Sequence, residues 1–338
     1  MHIDNSKLHR PQDAVKLAFQ AAYGAEHMLS DIQKAKDYFF DEYAKEHAPA
    51  PLVDKIAHDV IRVNLAAWKE AKLPPEWLFD LFVLSSGEKK SNPLELFQSY
   101  LQELGELAKK GDLPFSYSSW EEYTLDYNKN AKPTAVHHSD EYRKKEKPAY
   151  RIISGHFTRL VPILASLSGH TNAVIGIDGR AASGKSTMAD ALAKILQTEP
   201  IRMDDFFLPM ELRTDKRLNE PGGNIHYELF LEDVIPNLRK SQPFSYKPFD
   251  CGIMDYRQAK TIQNTPYKII EGAYSHHPHF GKYLDIKVFS AIEPDIQIER
   301  IKKRNGEATA ETFINKWIPM EEKYFSAFKT EQKSDLVV

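Results

Sequence analysis

Apolar residues recur at helical spacing through the first half of the chain, from residue 10 to about residue 166. Apolar positions three and four residues apart share one face of a helix. Short breaks rich in Pro, Gly and Ser separate these segments, and Pro11 and Ser30 stand where helices are expected to begin. We therefore predict an all-helical domain over residues 1–168, with helices at 11–28, 30–47, 52–72, 93–110, 119–128 and 139–167.

The pattern changes near residue 168. Residues 173–179, Ala-Val-Ile-Gly-Ile-Asp-Gly, form a short apolar, β-branched run that ends in glycine, which is typical of a buried strand. Strands that alternate with helices favour a parallel sheet covered on both faces. We therefore predict an α/β domain over residues 169–338, with further strands at 200–203, 267–271, 286–292 and 335–338 and helices at 185–196 and 294–304.

Composition agrees with a folded protein of two domains. The 338 residues are 42% hydrophobic and 28% charged, with a net charge of −3, so no basic surface for nucleic acid is expected. Cys251 is the single cysteine, which excludes an internal disulfide and a zinc site built from thiolates. No apolar run approaches the ~20 residues that cross a bilayer. We expect a cytoplasmic protein that does not insert into membranes.

Residues 179–187 fit the phosphate-binding pattern G-x-x-x-x-G-K-[ST], with a strand before and an amphipathic helix after. The two glycines allow a tight turn whose N–H groups face a polyphosphate, and the positive end of the helix adds to the field. Lys185 should reach the β and γ phosphates of ATP, and the Ser186 hydroxyl should bind Mg²⁺. The predicted nucleotide-binding residues are Gly179, Arg180, Ala181, Ala182, Ser183, Gly184, Lys185, Ser186 and Thr187.

The chain lacks the downstream strings of a GTPase: neither D-x-x-G nor N/T-K-x-D occurs after residue 187. Instead, the second predicted strand leads into Arg-Met-Asp-Asp-Phe-Phe-Leu-Pro at residues 202–209. Carboxylates at the carboxyl end of a strand beside the first one face the crevice in which an open α/β sheet binds its ligands. Either Asp204 or Asp205 could instead cap the turn or hold a water of the metal.

Three segments carry a family resemblance: the loop 179–187, Met-Asp-Asp-Phe-Phe at 203–207, and Ile-Ile-Glu-Gly-Ala-Tyr-Ser-His-His-Pro-His-Phe at 269–280. They resemble the uridine kinase and phosphoribulokinase group of P-loop kinases, over about residues 170–338. The resemblance implies that Asp204 lies by the acceptor hydroxyl and acts as the base, with Asp205 at a variable position. A carboxylate that orients a hydroxyl and takes its proton contributes roughly 10²–10⁴-fold to the rate.

The resemblance also implies the rest of a kinase site. Glu271 would end its strand beside the metal, so that Ser186, Glu271 and Asp204 form the Mg²⁺ site; Mg²⁺ keeps several waters and needs only one or two carboxylates. Arg300 and Arg304 would belong to a lid that neutralises charge in the transition state. A basic helix end favoured by the helix dipole explains these two arginines almost as well.

The phosphate acceptor is the part of the predicted function that the sequence defines least. In the family, the region that corresponds to residues 212–257 wraps the acceptor. We predict ATP-dependent phosphoryl transfer to a hydroxyl of a small metabolite, with a nucleoside such as uridine as the first candidate. The alternatives are a regulatory module that uses the P-loop half as an ATP sensor, or an ATPase. The helical half resembles no family that we can name, and could bind a second ligand, cover the crevice or assemble the chain into a homo-oligomer.

Overall fold

The computed structural model describes residues 1–26, 29, 31–129 and 132–338. The chain divides into two compact units, Met1–Ser168 and Gly169–Val338, called here the N-terminal and C-terminal units. In the part of the chain that is described, no helix combines the length and apolarity needed to cross a membrane.

The N-terminal unit is rich in helices, as the periodicity predicted. Proline occupies the first turn of several helices, where its missing N–H costs nothing. The elements are α1 (Pro11–Tyr23), α2 (Ile32–Tyr43), β1 (Val53–Ala57), β2 (Val60–Asn64), α3 (Leu65–Glu70), α4 (Pro75–Ser86), α5 (Pro93–Lys110), α6 (Tyr117–Tyr127), α7 (Asp140–Glu146), β3 (Tyr150–Ser154) and α8 (Leu160–Ser166).

This unit is not purely helical, and two predicted helices were wrong. The segment 52–72 contains β1, β2 and the short α3, while 139–167 is divided into α7, β3 and α8. The three strands form an antiparallel sheet in the order β1-β2-β3. β2 is a Val- and Ile-rich run that is buried along most of its length, and such a run lacks the alternation that identifies a half-buried strand.

The sequence analysis missed α4, whose buried residues lie on several sides of the helix. A helix that is apolar nearly all round has little periodic contrast. Two details of the prediction, the end of the first helix at Met28 and the Ser30 cap, lie outside the described residues; Asp31 is the N-cap of α2, accepting from the Lys34 N–H at 3.1 Å.

The C-terminal unit is an α/β fold around a parallel five-stranded sheet, which confirms the predicted fold class. The strand order is β12-β11-β4-β10-β5. The sheet and its helices are β4 (Ala173–Gly179), α9 (Lys185–Leu196), β5 (Pro200–Arg202), β10 (Tyr267–Glu271), β11 (Ile286–Ser290), α12 (Pro294–Asn305), α13 (Glu307–Thr312), α14 (Ile318–Phe328) and β12 (Leu336–Val337).

Between β5 and β10 runs a long segment, 207–262, that adds no strand to the main sheet. It contains α10 (Asp215–Leu218), α11 (Tyr227–Asp233), β6 (Phe244–Tyr246), β7 (Phe249–Asp250), β8 (Asp255–Tyr256) and β9 (Lys260–Ile262), with β6 paired to β9 and β7 to β8. We call it the acceptor segment, after the role that the resemblance implies for residues 212–257. Its apolar residues, including Phe230 and Tyr246, pack into the core of the C-terminal unit.

Candidate active site

The phosphate-binding loop starts where β4 ends. Gly179 has φ 138°, and a Cβ there would lie 2.3 Å from the carbonyl oxygen of Ser290, so only glycine fits beside β11. Gly184, with φ 94°, is the N-cap of α9. The loop therefore encircles the N-terminus of α9, whose first N–H groups have no partner within the helix and favour an anion.

Lys185 and Ser186 extend from the first turn of α9. Lys185 is buried, and its Nζ donates to the carbonyl oxygen of Arg180 at 2.8 Å. The Ser186 hydroxyl donates to Glu271 Oε1 at 3.1 Å. Glu271 ends β10, the strand hydrogen-bonded to β4, so the parallel sheet brings hydroxyl and carboxylate to one edge.

Arg202 holds the other oxygen of Glu271, a contact that the sequence analysis missed. Its Nη1 donates to Glu271 Oε2 at 2.9 Å, and its Nη2 to Asp190 Oδ1 at 2.6 Å. Glu271 is only 4% exposed, and this burial raises its pKa above the ordinary value, although the positive charge of Lys185 opposes the shift. Both oxygens of this carboxylate are thus oriented before any ligand arrives.

A cavity of about 770 Å³ opens over the loop and brings most of the predicted site residues together. Its lining includes Ala181, Ala182, Gly184, Lys185, Ser186, Thr187, Asp204, Glu271, Arg300 and Arg304. Arg180 belongs to the loop, but its guanidinium pairs with Glu322 at 2.7 Å and Glu331 at 3.1 Å. Its side chain therefore braces the loop from outside the cavity.

The two neighbouring aspartates have different surroundings. Asp204 lines the cavity and is accessible to solvent there, while protein atoms on its other sides desolvate the carboxylate and raise its pKa. Asp205 accepts a hydrogen bond of 2.6 Å from the Tyr246 hydroxyl in the acceptor segment. Asp204 therefore faces the cavity, whereas Asp205 holds the acceptor segment in place.

The basic wall of the cavity is built from α12 and from the helical turn that follows α13. Arg300 Nη1 donates to the carbonyl oxygen of Ala182 at 3.3 Å, and Arg304 lies 6.0 Å from the Phe313 ring centre. Phe313–Trp317 forms a π-helical turn between α13 and α14, a local irregularity often found at functional sites. It brings Lys316 and Trp317 to the cavity beside these arginines.

Glu321 is a cavity residue that the sequence analysis missed. It lies on α14, is only 9% exposed, and its Oε2 accepts from the Ala181 N–H at 2.9 Å. Gln297 on α12 donates to the Ala181 carbonyl oxygen at 3.1 Å, so both backbone groups of Ala181 are held by helices. Burial raises the pKa of Glu321 to about 7, with the charges of Asp178 and Asp204 adding to the shift and Lys185 opposing it.

Replacing Glu321 by Gln is expected to stabilise the nucleotide-free protein in alkaline solution. Because the folded-state pKa is about 7, the folded protein holds a proton there that the unfolded chain has already lost, and stability declines as pH rises toward 7. Glutamine resembles the protonated form and avoids this loss. The free energy of unfolding of the C-terminal unit should rise by about 2–3 kcal/mol at alkaline pH, with no gain in mild acid.

Denaturant unfolding at two pH values measures this effect. Glu322→Gln is the matched control: Glu322 stands next to Glu321, but its carboxylate pairs with Arg180. It should lose a fraction of a kcal/mol at both pH values, as exposed ion pairs do. A Glu321→Gln protein with unchanged stability at alkaline pH would contradict the expectation.

Asp178, the last residue before Gly179, anchors two neighbouring segments. It is fully buried and accepts hydrogen bonds from the N–H groups of Tyr274 at 3.2 Å and His276 at 3.0 Å and from the Tyr324 hydroxyl at 2.8 Å. A charged residue inside an apolar strand was the sequence signal for this role. Asp178 fixes the loop after β10 and the helix α14 against the start of the phosphate-binding loop.

The residues of this site fit a magnesium nucleotide. Within the described residues, no three of His, Cys, Asp and Glu are placed to bind a common metal ion. One hydroxyl and one oriented carboxylate, Ser186 and Glu271, suit Mg²⁺, which keeps most of its waters. Lys185, the helix terminus, Arg300 and Arg304 supply the positive charge that a triphosphate requires.

These features define the class of the C-terminal unit: a parallel α/β fold with a phosphate-binding loop after its central strand, of the P-loop kinase type. No protein-family model matches the chain. The chain is 27% identical over 170 residues to uridine kinase-like protein 4 of Arabidopsis thaliana, a match that covers 45% of this chain and 36% of that protein. The predicted relationship to uridine kinases and other P-loop kinases is confirmed over this part of the chain.

A solved structure described as that of a possible uridine kinase from Bacillus stearothermophilus is also similar, at 20% sequence identity and a TM-score of 0.41. The match covers 52% of this chain and 93% of that one. The chain thus matches about a third of the length of the Arabidopsis relative.

Proposed function

We propose that the C-terminal unit is a kinase that uses ATP and Mg²⁺ to phosphorylate a hydroxyl of a small metabolite, with a nucleoside such as uridine as the first candidate. The observation that carries the proposal is that one cavity is lined by Lys185, Ser186, Asp204 and Glu271. Asp204 follows β5, which is separated from β4 by β10 and not adjacent to it as the sequence suggested, and a loop that merely bound nucleotide would not need this carboxylate in the cavity.

In this proposal the loop amides and Lys185 bind the phosphates, while Ser186 and Glu271, with Asp204 nearby, hold Mg²⁺. The metal would neutralise phosphate charge and orient the γ-phosphoryl group. Asp204 orients the acceptor hydroxyl and takes its proton as the new P–O bond forms; the bond between the γ phosphorus and the bridging oxygen breaks, and ADP leaves. Arg300 and Arg304 stabilise the charge that develops on the transferred group.

The raised pKa of Asp204 matches this role, because a base is most effective when its pKa approaches the working pH. Apolar side chains around the acceptor would displace water that otherwise competes with it. Phe207, Phe313, Trp317 and Met320 contribute such side chains.

The proposal is tested by incubating the purified full-length protein with labelled ATP, Mg²⁺ and a panel of nucleosides, vitamins and sugar phosphates. Transfer of label to an acceptor supports a kinase. Tight nucleotide binding without transfer would indicate a sensor, and acceptor-independent phosphate release an ATPase.

A further inference from the structure

The arginines of the C-terminal unit fall into two sets according to their partners. Five form ion pairs with carboxylates: Arg180, Arg202, Arg217, Arg239 and Arg257. Within residues 169–338, all of which are described, the remaining three, Arg213, Arg300 and Arg304, pair with no carboxylate, and all three line the cavity. A cavity arginine without a carboxylate partner is suited to bind an anion, because its planar group of donors matches carboxylate and phosphate oxygens.

The three unpaired arginines belong to different walls. Arg300 and Arg304 lie on α12, and Arg300 contacts the phosphate-binding loop at Ala182, so these two serve the nucleotide. Arg213 lies on the acceptor segment, directly after the short helical turn Met210–Leu212. Its neighbours in the cavity lining from the same segment are Phe207, Leu218, Asn224, Cys251 and Met254.

Two contacts fix the position of the Arg213 guanidinium, and neither of them neutralises its positive charge. Its Nε donates to the carbonyl oxygen of Leu208 at 2.8 Å, and its Nη2 lies 3.8 Å from Cys251 Sγ. The hairpin of β7 and β8 has two acidic residues, and neither pairs with Arg213. Asp250 accepts from Arg257 Nε at 2.6 Å and from the Gly252 N–H at 2.7 Å, and Asp255 Oδ1 accepts from the Tyr256 N–H at 2.7 Å. Arg213 is therefore preorganised for a charge that the protein itself does not provide.

Asn224 supplies a second group on the same wall. It is 6% exposed, and its Oδ1 has no hydrogen-bond partner among the described residues. A buried carbonyl oxygen left in this state is costly unless a ligand satisfies it. Leu208 connects Arg213 to the backbone of Asn224, because its N–H donates to the backbone carbonyl oxygen of Asn224 at 3.1 Å while its own carbonyl oxygen accepts from the Arg213 side chain.

We propose that the acceptor carries an anionic group, a carboxylate or a phosphate, which Arg213 binds beside Asn224 on the same wall of the cavity. This inference rests on the proposed kinase function. It changes the expected class of acceptor from an uncharged nucleoside to a hydroxy acid or a phosphate ester. Residues of the acceptor segment would hold this molecule beside Asp204.

The first test compares acceptors that differ only in the charged group: uridine with uridine monophosphate, ribose with ribose 5-phosphate, and glycerol with glycerate. Label transfer from ATP gives kcat/KM for each. At least one anionic member should exceed its neutral counterpart about tenfold or more, as expected for a hydrogen-bonded charge. The phosphate and carboxylate pairs distinguish the two sources of the anion. Preference for the neutral members throughout would overturn the proposal.

The second test replaces Arg213 by Met. The KM of the anionic acceptor should rise about 10- to 100-fold, with the KM for ATP changed less than about twofold, and Arg213→Lys should recover part of the loss. Arg257→Met is the matched control, since Arg257 lies in the same segment but pairs with Asp250. An unchanged acceptor KM in Arg213→Met, or an equal rise in both variants, would exclude Arg213 from acceptor binding.

A third measurement needs no known acceptor. With Mg²⁺ and a non-hydrolysable ATP analogue at saturation, millimolar inorganic phosphate should raise the melting temperature of the wild-type and Arg257→Met proteins and leave Arg213→Met unaffected. Equal stabilisation of all three would overturn the proposal. If the ATP analogue itself fails to bind, the kinase function fails. The difference between the wild-type and Arg213→Met proteins in the phosphate titration then still reports on Arg213, because both proteins keep the same phosphate-binding loop.

Discussion

Replacing Asp204 by Asn should reduce turnover at least about 100-fold while leaving ATP affinity nearly unchanged. The asparagine amide keeps the size of the side chain but cannot accept the proton of the acceptor hydroxyl. Asp204 follows β5 and is not part of the phosphate-binding loop, so its replacement should leave the contacts of that loop intact. Steady-state kinetics and nucleotide titration of the same preparation separate the two effects.

The neighbouring carboxylate provides the control for this experiment. Asp205→Asn makes the same substitution at the next residue, whose carboxylate accepts from the Tyr246 hydroxyl at 2.6 Å. This variant should be less stable but retain turnover within about tenfold, because a neutral amide oxygen in place of the carboxylate weakens the hydrogen bond by about 1 kcal/mol and the effect falls on the fold. If instead Asp205→Asn is the inactive protein, the base has been assigned to the wrong residue.

Replacing Lys185 by Met should weaken nucleotide binding strongly and lower kcat/KM by about 1000-fold, because a preorganised donor facing the transferred group contributes ~10²–10³-fold and ground-state binding is lost as well. Lys185 is also the cation that interacts with Asp204, Glu271 and Glu321. Its removal leaves three carboxylates in one cavity without that charge, so these groups should repel the triphosphate.

Lys194→Met serves as the control, since Lys194 lies on the same helix α9 but is exposed near its C-terminal end. Isothermal titration with ATP and Mg²⁺ should give wild-type affinity for Lys194→Met and no measurable binding for Lys185→Met. Retention of affinity in the Lys185 variant would mean that the loop does not bind phosphate.

Local patterns predicted the C-terminal unit well for a physical reason. A buried parallel strand is apolar along most of its length, and a loop that encircles a polyphosphate requires glycine at fixed positions. Both constraints act over fewer than ten residues around Gly179 and Gly184. Sequence therefore identified β4, the loop and α9 together, and β10 with its terminal Glu271.

What escaped prediction depends on residues far apart in the chain. β2 pairs with β1 across a short turn and also with β3, about ninety residues later, and no local pattern records the second pairing. In the sequence, Glu321 has the pattern of an ordinary acidic residue on a helix. Its role arises only because α14 packs against Ala181, which is far away in the chain. The distinction between Asp204 and Asp205 likewise arises only when β6 brings the Tyr246 hydroxyl to one of them.

The acceptor segment enters between β5 and β10 without contributing to the five-stranded sheet. Its small hairpin, β7 with β8, presents Cys251 and Met254 to the cavity, whereas the groups proposed to carry the chemistry reside on the sheet edge. In the proposed kinase, selectivity and catalysis are therefore encoded in separable stretches of chain. Exchange of the whole acceptor segment, residues 207–262, between relatives offers a direct way to redirect this fold to new substrates while its parallel core stays as it is.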